Sequence, residues 1–166
     1  MSALIVTAAI GPADLAWLDG LRRRHFPVDR NQLTAHLTLF HALPPSHETE
    51  AREMLRRAVV GRRPDAVLSG LMFLGRGVAF AVRSAELSAI RDDIADHFHG
   101  SLTAQDQHGW RAHVTIQNKV MPTVAKSLYE QLNAEFRPRP IVIDGLALHR
   151  YLGGPWQTLG EWRFRD

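Results

Sequence analysis

His36 and His113 each stand two residues before a threonine, in the strings His36-Leu37-Thr38-Leu39 and His113-Val114-Thr115-Ile116. An unperturbed imidazole titrates near 6.5, so of two that face one another one can be neutral while the other is protonated. Such a pair can take a proton from an attacking oxygen and give one to a leaving oxygen, which suits phosphodiester cleavage. A threonine hydroxyl on the same face can donate to a non-bridging phosphoryl oxygen and stabilise the charge developing there. His36, Thr38, His113 and Thr115 are therefore the candidate catalytic residues, in a scheme that needs no metal and no cofactor. One histidine on a strand is more often a satisfied core or surface residue. The second copy argues for function, because a core has no general reason to place His-x-Thr twice.

For these side chains to meet, both strings must be strands, in which alternate residues share a face. AHLTLFHALPPS at 35–46 aligns without a gap on AHVTIQNKVMPT at 112–123, and Gly70-Leu71 echoes Gly145-Leu146 further on. Around each string the patterning predicts the same series of helix, strand, helix and strand pair. In the first half these are a helix from Asp14 to Phe26, a strand over 35–43, a helix capped by Ser46, and strands over 66–74 and 77–83 joined by Gly75-Arg76-Gly77. In the second they are a helix over 85–98, a polar loop to Arg111, a strand over 112–120, a helix from Pro122, and strands over 141–151 and 156–164. The expected fold class is α+β: one duplicated, bilobal domain spanning 1–166, with two antiparallel sheets lining a central cleft and helices outside. The first repeat covers about 12–83 and the second about 85–164, and the apolar stretch 3–10 forms an N-terminal strand.

The same alternation puts Gln117 and Lys119 on the face of His113, and Phe40 on that of His36. Lys119 and Gln117 are candidate phosphate contacts, and Phe40 could stack a base. His41 and Asn118 point away unless a bulge re-aims them. Arg150, Tyr151 and Arg76, at strand ends, are further candidates for the cleft border. His97, His99 and His108 lack partners at metal-ligand spacing, so no metal site is expected.

The chain contains no cysteine, which removes disulfides, thiol nucleophiles and cysteine zinc sites. Its formal charge of +3 suits an anionic substrate without the strongly basic surface of a nucleic-acid coat. The arginine clusters at 22–24, 56–57 and 62–63 read as solvated charges near helix ends. No apolar run is long enough to span a membrane, and the start lacks a basic leader with a cleavage site, so a cytoplasmic protein is expected; the expected state is a monomer.

The paired motifs and the element order from residue 3 to 164 resemble the two-histidine phosphoesterases, also called the 2′-5′ RNA ligase or cyclic phosphodiesterase superfamily. HLTLFHALP, AHVTIQNKV and the closing GGPWQTLGEW are similar to a bacterial RNA-ligase-like branch. The resemblance implies hydrolysis of 2′,3′-cyclic phosphate ends of RNA or nucleotides, or of related 2′-5′ linkages. His36 would protonate the leaving oxygen, His113 would activate water, and Thr38 and Thr115 would hold the phosphoryl oxygens. No P-loop or glycine-rich phosphate cradle is present, so any ligation would be reverse hydrolysis. The alternatives are a non-catalytic module that grips RNA ends or nucleotides, and a hydrolase of another cyclic phosphate such as that of ADP-ribose.

Overall fold

The computed structural model describes residues 2–165. The β-branched opening stretch forms β1 (Leu4–Ile10), and Gly11 turns it into α1 (Pro12–His25), where Pro12 takes the first helical position and its missing N–H costs nothing. Next in the chain are β2 (Leu37–Leu43), α2 (Glu48–Ala58), β3 (Val67–Phe73), β4 (Val78–Arg83), α3 (Ala85–His97) and the one-turn α4 (Ala104–Gln107). The chain continues through β5 (His113–Gln117), α5 (Pro122–Glu135), the short β6 (Arg139–Pro140), β7 (Ile143–Tyr151) and β8 (Trp156–Arg163). The Ser84 hydroxyl caps α3 by accepting from the Leu87 N–H, and Thr103 caps α4 in the same way. Ser46 does not play the capping role expected of it: it lies in a 3-10 turn, Pro45–His47, and α2 begins after it without a side-chain cap.

The fold is α+β, as expected, but the strands form one antiparallel sheet rather than two, in the order β6-β3-β4-β5-β2-β1-β7-β8. Its centre is thin. β2 and β5 share the single pair Leu37–Val114, whereas β1 and β7 stay paired from Leu4–Arg150 to Ile10–Ile143. Four strands lie on each side of that junction. The strand that flanks each motif strand precedes it by one long helix, β1 before β2 and β4 before β5. Strand, helix, motif strand, helix and strand thus occur twice, as β1-α1-β2-α2-β3 and as β4-α3-β5-α5-β7. In this arrangement β1 and β4 occupy equivalent places, whereas the sequence pattern sets the 3–10 strand outside the repeats and residues 77–83 in the first. The last strand of each series pairs with the first strand of the other: β3 with β4, and β7 with β1.

Helices cover one face only. Trp17 of α1 and Phe136 after α5 pack on Phe80 of β4, with ring centroids 5.3 and 6.0 Å away, and Tyr129 of α5 meets Phe73 of β3. Glu48 of α2 pairs with Arg150 of β7, and Arg91 of α3 stacks over Phe40. Leu37, Leu39, Val114, Ile116, Leu146 and Leu148 are fully buried in the single core that results. The opposite face carries His113, Thr115, Thr38, Thr7 and His149, and the one-turn α4 borders it through Gln105 and Asp106. Among the described residues no helix is long and apolar enough to cross a membrane.

Candidate active site

The Leu37–Val114 pair fixes the site, because both residues are buried on the helix side and their neighbours must face the open side. His36 then falls opposite Thr115, and Thr38 opposite His113. The four make a quadrilateral with histidines on one diagonal and threonines on the other. Such diagonal neighbours lie roughly 7–8 Å apart at the backbone, which leaves room for one phosphoryl group between the rings.

The two rings are oriented alike. His36 Nδ1 lies 2.8 Å from the Thr34 carbonyl and His113 Nδ1 2.7 Å from the Arg111 carbonyl, each two residues upstream. A carbonyl oxygen can only accept, so Nδ1 carries the hydrogen and donates in both, and Nε2 is the free nitrogen of each ring. Asp19 of α1 holds the approach to the first motif by accepting from the Ala35 N–H at 2.9 Å. Trp156 of β8 meets His36 edge to face at 4.7 Å. Burial pushes the His36 imidazole down to about 4; the Thr34 carbonyl partly offsets this, and the positive charges of Arg22, His149 and His113 add to it. His36 is therefore neutral at pH 7, with its Nε2 lone pair free. Neither Thr38 nor Thr115 has a hydroxyl partner among the described residues, so both hydroxyls can serve a ligand.

Immediately after each His-x-Thr the strand bulges. Thr7 pairs with Thr38 but Val6 with Phe40, and Ala79 pairs with Thr115 but Val78 with Gln117, so the extra residues are Leu39 and Ile116, which are equivalent in the sequence alignment. The bulges reverse the facing of the residues beyond them. Phe40 is fully buried under Arg91 and does not reach the open face as expected. Gln117, 3% exposed, turns to the helix side, where its Oε1 has no partner among the described residues. His41 is re-aimed to the open face beside Thr38.

The bulged, diverging β2 leaves backbone groups unpaired, and side chains satisfy them. Trp110 Nε1 donates to the Thr38 carbonyl at 2.9 Å, and Arg91 Nε donates to that of Leu39 at 3.2 Å. The Asp106 carboxylate accepts from the backbone N–H of His41 and of Ala42 and from the His41 ring. Burial alone would raise the Asp106 pKa, but these hydrogen bonds hold it below the usual carboxylate range. On the other motif Arg22, buried and not solvated as expected, donates to the Thr115 carbonyl at 3.1 Å. Each motif strand is thus gripped by an arginine from the helix preceding the other: Arg22 of α1 holds β5, and Arg91 of α3 holds β2.

Two cavities flank the quadrilateral. One of about 450 Å³ opens beside His36 and is lined also by Thr7, Gln32, His149, Trp156, Thr158 and Glu161. There His149 is bracketed by the Thr7 and Thr158 hydroxyls at 2.8 and 3.0 Å, and burial lowers its pKa. The other, about 240 Å³, opens beside His113 and Thr38, with His41, His108, Trp110 and Arg111 in its walls. Of the remaining sequence candidates only Tyr151 shares the open face, opposite Trp156. Arg150 points to the helix side and pairs with Glu48, and Arg76 donates to the Val120 carbonyl. β5 ends before Lys119, which is exposed in a left-handed turn (φ 64°) and lines neither cavity, so it does not share the strand face assigned to it. His97 pairs with Glu50, and no group of three or more candidate ligands among the described residues is placed to hold a metal ion. His41, Asp106, Trp110, His149 and Trp156 were not among the sequence candidates. A bulge was the signal needed for His41, and nothing local marks the others.

A sequence model of the 2′-5′ RNA ligase superfamily matches residues 11–155. No curated protein matches the chain by sequence. Among solved structures, TT0787 of Thermus thermophilus superposes with a TM-score of 0.68 at 15% identity, over 99% of this chain and 98% of that one. LigT of E. coli, complexed with 3′-AMP, gives 0.65 at 16% identity over 99% of both chains. A protein described as a phosphoesterase gives 0.60 at 16% identity over the whole of both. Likeness at these identities concerns the fold.

Proposed function

The chain belongs to the 2′-5′ RNA ligase superfamily, and from that premise we propose that it is an enzyme hydrolysing 2′,3′-cyclic phosphate ends of RNA or nucleotides by paired histidine acid–base catalysis. The observation that carries this is the quadrilateral: two imidazoles with free Nε2 atoms on one diagonal and two unengaged threonine hydroxyls on the other. In this reading the phosphorus lies over its centre and the hydroxyls of Thr38 and Thr115 donate to the non-bridging oxygens. In this reading His36, whose burial favours the unprotonated ring, acts as the base. Its Nε2 takes the proton of the attacking water, the new phosphorus–oxygen bond forms, and the bond to one ribose oxygen breaks as His113 Nε2 protonates that oxygen. This split reverses the roles that the family resemblance implies, and it places the ribose on the His113 side.

The cavity beside His36 is far larger than a water needs, which favours a nucleoside hydroxyl as an alternative occupant and so extends the reading to 2′-5′ linkages. The test is a panel of 2′,3′-cyclic mononucleotides, cyclic-ended oligonucleotides, 2′-5′ dimers and ADP-ribose cyclic phosphate, with the product phosphate located by phosphorus NMR. Hydrolysis of the nucleotide members, unaffected by chelator, is the expected result. Stoichiometric binding without turnover would instead identify a module that only grips phosphate.

A further inference from the structure

The Asp106 carboxylate accepts from three donors on one short stretch of β2, and one of them belongs to a side chain that the catalytic scheme does not use. His41 Nδ1 lies 3.2 Å from Asp106 Oδ1, and the carboxylate, 1% exposed, also accepts from the backbone N–H of His41 at 2.8 Å and of Ala42 at 2.9 Å. Because the carboxylate accepts, Nδ1 donates, and the ring is fixed with Nε2 as its free nitrogen. The bulge at Leu39 is what brings this ring to the open face. It lines the cavity that also holds His113 and Thr38, while the exposed guanidinium of Arg111 forms another part of the wall. Arg91, whose guanidinium donates to the Leu39 and Asp106 carbonyls, lies behind the pair and offsets the buried negative charge. The face offered to a ligand is therefore one of nitrogens, from His41, His108, Arg111 and His113: the Arg111 guanidinium donates outright, and His41 Nε2 donates in the imidazolium form, whose second N–H the Asp106 carboxylate accepts.

We infer that the His41–Asp106 pair, with Arg111, is a second phosphate-binding position, set for the phosphodiester one nucleotide away from the reacting phosphorus. Along β2, His41 is two strand steps beyond Thr38 once the bulged residue is discounted, about 7 Å, which is the reach of one ribose–phosphate unit. The inference rests on the proposed function in one respect: with His113 as the acid, the ribose of the cyclic end and the nucleotide before it lie on this side. The protein then prefers a strand end to a free nucleotide, because a mononucleotide leaves this position empty.

Calorimetric titration with two unreactive product analogues separates this inference from the proposed function, since neither analogue needs turnover. The probes are a nucleoside 3′-monophosphate and the 3′-phosphorylated dinucleotide that carries one further phosphodiester. Wild-type protein is expected to bind the dinucleotide about ten- to a hundredfold more tightly, the range of one charge-assisted hydrogen bond. In His41→Ala that ratio falls towards one, in His41→Lys it is partly retained, and in Arg111→Ala it falls without disturbing the buried Asp106. A wild-type ratio near one, or a ratio that survives both alanine substitutions, overturns the inference even if cyclic phosphates are hydrolysed. A ratio that collapses as expected supports it even if they are not.

Discussion

At the residue scale the two histidines share a geometry but not an environment, and their substitutions should separate on that account. His36→Ala and His113→Ala are each expected to lower kcat/KM on a 2′,3′-cyclic nucleotide by about 10²–10⁴, the usual worth of a general acid or base, with the circular dichroism spectrum unchanged. A phosphodiester with a nitrophenolate leaving group needs no protonation of that group. It should therefore restore most of the rate in His113→Ala and little in His36→Ala, and the opposite pattern would return the acid role to His36. The pH profile carries a second sign. A base held near 4 in the free protein must lose its proton before it can act, so the acidic limb of kcat/KM falls near 4 and not near 6.5. Trp156 packs on the His36 ring, so Trp156→Ala lets water in and moves that limb upward. The four corner residues could be read from sequence because type and spacing alone define them. His149 and Asp106 could not, since their relation to the site depends on contacts between segments far apart in the chain.

At the element scale the motif strands hold their shape through side chains that replace a neighbouring strand. Arg91→Met removes the donors to the Leu39 and Asp106 carbonyls and leaves both without these partners, which costs about 2–4 kcal/mol. Urea denaturation should show this as a lower midpoint with unchanged slope. Arg91→Lys should not restore the midpoint, because an ammonium lacks the planar fork that spans the two carbonyls. Gly77 lets β4 approach the bulge in β5: a Cβ there would stand 1.9 Å from the Gln117 carbonyl oxygen. Gly77→Ala is expected to cost roughly 2 kcal/mol or more by the same measurement. These bulges also mark the limit of what alternation can tell. Strict two-residue periodicity places Thr38 and Thr115 correctly and then puts Phe40 and Gln117 on the open face, since a bulge leaves no trace in the pattern of residue types before it.

At the scale of the whole molecule, nearly all the elements were legible because apolar periodicity, proline and glycine mark them locally. How the strands join was legible only where a short turn links them, β3 with β4 and β7 with β8; the pairings of β1 with β7 and of β2 with β5 join segments far apart in the chain, and hydrophobic pattern carries no address. The site draws one His-x-Thr from each side of the single Leu37–Val114 junction, so a phosphate bound there ties the sides together. A nucleoside 3′-monophosphate should raise the melting temperature of the wild-type protein, by about 2.7 kcal/mol of stability at a hundred times its Kd. Loss of either histidine should reduce that rise, and a rise unaffected by both substitutions would place the ligand elsewhere.

The reciprocal grip of Arg22 on β5 and Arg91 on β2, with β3 and β7 each lent to the other series, makes the halves mutually dependent. A polypeptide cut at the Gly75-Arg76 turn would yield two pieces, each holding one imidazole and the clamp for its counterpart's motif. Neither piece could build a catalytic centre alone, whereas mixing them would reconstitute it. An architecture in which each half clamps the other's motif strand thus makes this small protein suited to fragment complementation.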